Sequence, residues 1–319
     1  MRQHLMKMTA LAGMMAALAV PGVAQASDLV PFKTVYNTDF TSAGYGGMRD
    51  IGTGQISLAG VSGTVTEAYL YWSGPTNAAS TDTTANASVN FNGNTVRGTF
   101  LGISSDNCWG YQNSMAYRAD VTSLVSGNGT YSLANFVKNN GQINVNGASL
   151  IVFFNDGNAS NNRDVVMFNG NDSNISNAFD ANGWNITLNG INYSSGTANM
   201  QLHVSDGQTF PDDALIVNGN TLVPAGAIFQ GDSTPAGAGG PDNGSLWDIK
   251  DFNVTGLLNP GINNLNFQTG VNSDCLSCVL IAIDLPAGAA PPPVPEPGTL
   301  ALMGLAAGAL GYTRRRKAK

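Results

Sequence analysis

Short apolar runs closed by Asn, Gly or Asp recur through the middle of this 319-residue chain, and they constrain its fold more than any other feature. They include QISLAGV (55–61), EAYLYW (67–72), SVNFNG (88–93), SLIVFF (149–154) and DVVMFNG (164–170). Farther on come NITLNGI (185–191), MQLHV (200–204), ALIVNGN (214–220) and CVLIAIDL (278–285). Alternation or short continuous apolarity is the pattern of strands, and the flanking residues are those at which strands turn. No segment carries the periodicity of an amphipathic helix of three turns. The predicted class is all-β.

The runs fall into two series. ISLAGV (56–61) recurs as ITLNGI (186–191), YLYWSG (69–74) as QLHVSDG (201–207), and FNGNTVRGTFLG (91–102) as VNGNTLVPAGAIFQG (217–231). ADVTSLVSGNGTYSL (119–133) recurs as FNVTGLLNPGINNLNF (252–267), and SLIVFFND (149–156) as CVLIAIDL (278–285). The five pairs keep one order at offsets of 126 to 133 residues. A sandwich module needs about seven or eight short strands to enclose a core. The expected architecture is therefore two tandem β-sandwich, jelly-roll-like modules, residues 27–178 and 179–286, with the seam near Ser173–Asn182. GDSTPAGAGGPDNGS (231–245) reads as a long exposed loop and residues 287–297 as a Pro-rich, semi-rigid spacer.

The two ends read as address labels. Arg2 and Lys7 precede a small, apolar stretch from Thr9 to Val20, broken by Pro21-Gly22. Ala24-Gln25-Ala26 supplies the small residues that a signal peptidase accepts, so residues 1–26 are a predicted signal helix cut before Ser27. At the other end an uncharged run, 298–312, is 15 residues long. As a helix it spans about 22 Å, short of a bilayer core of about 30 Å, which suits transient rather than permanent anchoring. The basic segment 313–319, with Arg314, Arg315, Arg316 and Lys317, would stay cytoplasmic and hold Pro295-Glu296-Pro297 outside the inner membrane.

Pro295-Glu296-Pro297, then 298–312, then the Arg cluster resembles the PEP-CTERM sorting signal of Gram-negative bacteria. That resemblance implies cleavage at or near the triplet by an exosortase-like membrane enzyme. It also implies delivery to the cell surface or beyond, in systems that accompany exopolysaccharide and biofilm. Separately, Glu67–Trp72 and Ala119–Leu124 resemble strands of an uncharacterised group of bacterial surface β-sandwich domains. This second likeness implies secretion and no particular activity.

The ends carry seven of the 14 basic residues and one of the 21 acidic ones, so residues 27–294 hold 7 against 20, a formal charge of −13. Such a body repels phosphate backbones, and no nucleic-acid partner is expected. Glu67 is its only Glu. The many Asp and Asn residues are turn formers first. They also supply the hard oxygen ligands of Ca²⁺, for which two clusters qualify: Asp156, Asn158 and Asp164, and Asp206, Asp212 and Asp213. Neither has the bidentate Glu of an EF-hand.

His203 is the one histidine of the body, and a lone strand His is read as structural. Cys275 and Cys278 are assigned a local disulfide, the alternative being a bridge from Cys108 to one of them that clamps the modules. Trp72, Trp109, Tyr111, Trp184 and Trp247 offer faces for sugar stacking, although Trp in small sandwiches is more often core. The expected role is a structural or adhesive protein of the cell surface or extracellular matrix, without enzymatic activity, whose partners are polysaccharide or surface proteins. A lectin-like carbohydrate binder and a glycan hydrolase using two Asp residues are the alternatives.

Overall fold

A computed structural model describes residues 29–105, 110–138, 142–179, 181–231 and 245–288. The predicted signal helix and cleavage site, the Pro-rich spacer, Pro295-Glu296-Pro297, the hydrophobic helix and the basic tail lie outside those residues. Among the described residues no helix is long and apolar enough to cross a membrane. They are all-β, as expected, apart from two single 3₁₀ turns.

In the first half the strands are β1 (Val30–Tyr45), β2 (Gly54–Leu58), β3 (Thr64–Thr76), β4 (Ser88–Phe91), β5 (Asn94–Arg97) and β6 (Thr99–Ser104). They continue with β7 (Asn113–Asp120), β8 (Gly129–Ala134) and β9 (Gly147–Asn155). The second half has β10 (Arg163–Ser173), β11 (Trp184–Tyr193), β12 (Asn199–Ser205) and β13 (Leu215–Val217). It ends with β14 (Asn220–Val223), β15 (Trp247–Asn253), β16 (Gly261–Thr269) and β17 (Ser277–Pro286).

Three sheets result. Nine strands join in the order β15-β12-β17-β10-β1-β9-β3-β7-β6, and two four-stranded sheets run β2-β8-β4-β5 and β11-β16-β13-β14. The long strand β1 changes partner along its length: Val30 to Thr38 pairs with β10, and Asp39 to Tyr45 with β9. Between the two stretches lies a bulge at Val35/Thr38 with Asn37 at φ 50°, a place where a strand bends. The wings of the large sheet then face one another across a shared core of Tyr69, Tyr71, Ile151, Phe153, Val165, Met167, Leu280 and Ala282. The outer side of each wing is covered by one four-stranded sheet. Ile56, Val89, Phe91 and Leu133 pack on Leu70, Trp72, Leu150 and Val152, while Ile186, Leu188, Leu265 and Phe267 pack on Met200, Leu202, Ile281 and Ile283. The molecule is a stack of four sheet layers around three cores.

This stacking explains the continuously apolar runs. In SLIVFF, Leu150, Val152 and Phe154 enter the first sandwich core, while Ile151 and Phe153 enter the shared one. Burying one such side chain contributes about 1.5–3 kcal/mol, so a strand covered on both faces has no polar side to spare.

The repeat seen in the sequence is repeated in three dimensions. The order β9-β3-β7 in one wing matches β17-β12-β15 in the other, and β2-β8-β4-β5 matches β11-β16-β13-β14. After ADVT, Val121 N–H donates to Ala68 O at 2.9 Å and Ala68 N–H to Thr122 Oγ1 at 2.9 Å. After FNVT, Val254 N–H donates to Ala198 O at 3.0 Å and Ala198 N–H to Thr255 Oγ1 at 2.9 Å. Both hairpin turns are Asn-Gly with positive φ, 49° and 83° at Asn92-Gly93 and 49° and 75° at Asn218-Gly219, as a type I′ turn requires. The strands change wing earlier than the predicted seam near Ser173–Asn182. β10 pairs with β17 and β1, so the crossover is the 156–162 turn, and a boundary at 178/179 leaves one strand of the second wing in the first module.

Candidate functional site

The face between the two wings is where sequence-selected residues meet. His203 on β12 is fully buried. Gln201 Nε2 donates to the Asp251 carboxylate at 3.0 Å, which orients the amide so that its Oε1 is the acceptor. Oε1 takes a hydrogen bond from Ser42 Oγ at 2.7 Å and lies 3.0 Å from His203 Nε2. Nε2 therefore carries the imidazole proton, and Nδ1 accepts from Ser149 Oγ at 2.7 Å. Burial pushes the imidazole pKa down to about 3, so the ring is neutral. It has a serine on one side and an amide on the other, with no carboxylate to support an imidazolium. This His ties β12 to β9 through Ser149.

One end of the same face holds a buried ion pair. Arg49 Nη2 donates to Asp206 Oδ1 at 3.1 Å, and both side chains are almost wholly covered. Asn146 ties them together, accepting from Arg49 Nε at 3.2 Å and donating to Ser205 Oγ at 3.0 Å and Asp206 Oδ1 at 3.2 Å. Nearby, Asn171 Nδ2 donates to Ser114 O and Oγ, each at 3.0 Å, joining β10 to β7. These hydrogen bonds make the contact between wings specific in register, not merely apolar.

The two proposed calcium clusters come apart. Asp156 caps its own turn, accepting from Asn158 N at 2.7 Å, and Asn158 does the same for Ser160 at 3.2 Å. Asp164 accepts from Asn37 N at 2.8 Å and Gly288 N at 2.7 Å. In the second cluster Asp206 faces Arg49, Asp213 accepts from Ala214 N at 2.8 Å, and Asp212 accepts from Ile228 N at 2.8 Å and Phe229 N at 2.6 Å. Among the described residues no three His, Cys, Asp or Glu side chains converge to hold a metal. Backbone N–H groups take one oxygen each of Asp156, Asp212 and Asp213 and both oxygens of Asp164.

Asp212 nevertheless sits in an unusual place. With Asp274 and with Asp248 of β15 it forms a group of mutually interacting, covered carboxylates, only 1, 1 and 0 % exposed. Burial raises Asp212 to about 6 and Asp274 to about 7, and each also feels the other carboxylates. Asp274 Oδ2 accepts from Gln208 N at 2.8 Å and Asp248 Oδ2 from Gly231 N at 2.8 Å.

The local disulfide is corrected. Cys278 is a free, buried thiol, its side chain turned into the second sandwich core, whereas Cys275 is disulfide-bonded. Cys108, the third cysteine of the sequence, lies outside the described residues. Of the two roles open to the tryptophans, Trp72, Trp184 and Trp247 take core packing, at 1, 1 and 0 % exposure. Trp109 is outside the described residues.

The polar chain reaches the surface at one cleft of about 310 Å³, where Ser42, Ser57, Gln201, Ile249 and Asp251 meet between the wings. Burial raises the Asp251 carboxyl above its ordinary value. Elsewhere, Lys33 and Tyr69 both reach Glu67, each at 2.7 Å. Arg49, Asn146, Ser149 and Gln201 were not singled out from the sequence. A polar residue inside an otherwise apolar strand, as Ser149 and Gln201 are, was the signal that marked them.

The family described as "Protein of unknown function (DUF3344)" matches residues 38–283, and the PEP-CTERM protein-sorting motif matches residues 293–317. The second match contains Pro295, Glu296, Pro297 and Arg314 to Lys317, and marks an exported protein sorted by exosortase, through membrane-associated sorting to the cell surface. No curated protein matches the sequence. Two solved structures are similar at 12% identity. The structure of PNGF-II covers 76% of this chain and 60% of that one at a TM-score of 0.31. That of a peptide-N(4)-(N-acetyl-β-D-glucosaminyl) asparagine amidase covers 84% and 98% at 0.30. This chain thus spans about three fifths of the first. The expectation of a body without enzymatic activity is corrected, because a structure similar to it is that of an amidase. At these TM-scores the likeness transfers no reaction to this chain.

Proposed function

We propose, for a chain that belongs to the DUF3344 family and ends in a PEP-CTERM motif, a structural or adhesive role at the cell surface or in the extracellular matrix. The sorting motif is the observation that carries this reading, because it sends the body to the compartment where exopolysaccharide and neighbouring surface proteins are met. The build of the body supports it. Two copies of one sandwich, fixed back to back through a shared core and a buried ion pair, form a stiff unit with an outward sheet at each end. Two weak contacts on one rigid body gain affinity through effective concentration.

The test is intact-mass analysis of the protein recovered from cell envelope and medium. The expected species begins at Ser27 and lacks the residues beyond the Pro295-Glu296-Pro297 triplet. Its abundance in isolated matrix is expected to fall when Pro295-Glu296-Pro297 is replaced by Ala-Ala-Ala. Full-length protein in the cytosol, or matrix content unchanged by the replacement, overturns the proposal. Amide or glycoside cleavage by the purified protein would move the reading to an enzyme.

A further inference from the structure

The outward face of the second small sheet presents amides and hydroxyls and no charge. Its four strands, WNITLNGINY, GINNLNFQT, LIV and NTLV, contain no charged residue, although residues 27–294 carry a formal charge of −13. Residues pointing inward are Ile186, Leu188, Leu265 and Phe267, so the alternating set points out: Asn185 and Thr187 from β11, and Asn264, Asn266 and Gln268 from β16. These are not independent side chains. Asn266 Nδ2 donates to Asn185 Oδ1 at 2.8 Å and lies 3.3 Å from Thr187 Oγ1, and Gln268 Nε2 donates to Asn185 Oδ1 at 3.0 Å. Asn218, at the hairpin tip, accepts from Asn266 N at 2.8 Å.

We infer that this amide face is a binding surface for a neutral polysaccharide chain. The inference rests on the surface-adhesive reading and says where on the molecule adhesion occurs. Amides both donate and accept, as sugar hydroxyls do, so each can meet a hydroxyl in either sense. Cross-strand neighbours stand about 4.8 Å apart and alternate residues along a strand about 6.8 Å apart, giving a regular grid that suits a repeating polymer. Their mutual hydrogen bonds hold the side chains in place before binding, which lowers the entropy cost of association. Ile216, half-buried, and Ile262, 78 % exposed, add apolar contact for the C–H faces of sugar rings. Lack of charge on the face removes a partner bound by ion pairing. The acidic body disfavours an anionic polymer.

The test is affinity electrophoresis of the secreted protein in native gels containing dextran, hydroxyethylcellulose or alginate. The expected result is retardation by at least one neutral polymer and none by alginate. The double variant Thr187→Asp, Asn266→Asp is expected to weaken that retardation at least tenfold. The variant Gln55→Asp, Thr130→Asp on the outer sheet of the first sandwich is expected to keep it. Circular dichroism melts would show that both variants remain folded. Retardation unaffected by Thr187→Asp, Asn266→Asp overturns the assignment to this face and leaves the adhesive reading standing. Retardation by alginate alone, or by no polymer, overturns the neutral-polysaccharide inference. Matrix content of the protein, measured separately, decides the adhesive reading.

Discussion

His203 and two covered carboxylates pull the pH dependence of stability in opposite directions. The imidazole, with its pKa pushed from 6.5 to about 3, contributes stability that is present above pH 6.5 and lost as pH falls toward 3. Asp212 and Asp274, raised from 3.8 to about 6 and about 7, contribute stability that is full below pH 3.8 and lost as pH rises through those values. From pH 5 to pH 8 the carboxylates lose about 4 kcal/mol and the imidazole returns about 2, at roughly 1.4 kcal/mol per pH unit. The melting temperature is therefore expected to be higher at pH 5 than at pH 8, and Asp274→Asn to raise it at pH 8 and flatten the profile. A melting temperature that climbs from pH 5 to 8 would refute this. At the same scale, Arg49→Met strands Asp206 in the seam and is expected to cost about 3–5 kcal/mol in urea unfolding, most of it recovered in Arg49→Met, Asp206→Asn. None of these pairings was readable from the chain. Arg49 and Asp206 are 157 positions apart, and their contact exists only after the wings dock.

Hairpins and caps, by contrast, are local, and there the sequence was a good guide. Gly93 and Gly219 sit in left-handed backbone at φ 83° and 75°, and a Cβ at either would meet nothing within 4 Å. Gly93→Ala and Gly219→Ala should each cost about 1–2 kcal/mol, from backbone conformation alone, and by similar amounts because the turns are copies. Urea midpoints of the two variants would check this, and a cost at only one site would break the equivalence. The element least visible in advance was β1. VPFKTVYNTDFTSAGY has no continuous apolar run, contains Pro31, and is held extended by two different neighbours along its 16 residues. Its strand character comes from pairing, which propensity does not encode.

At the scale of the molecule, β1 and the shared core make the two sandwiches one cooperative unit. Residues 163–286 expressed alone would lack β1, one of the two partners of β10, and expose Val165, Met167 and Ala282 to water. They are expected to aggregate, whereas the intact body unfolds in one transition followed equally by near- and far-UV circular dichroism. Two separate transitions would show that the wings are independent.

The sequence by itself determined the all-β class, the internal duplication, the Asn-Gly turns and the sorting tail, because each depends on residues close together or on a pattern repeated along the chain. Only the tertiary structure decided that the wings pack face to face and that His203 is locked neutral between Ser149 and Gln201. It also decided that Cys278 is a core thiol. Those outcomes depend on which faces of distant strands come together, and a periodicity of two states that a side chain alternates without stating what lies opposite it.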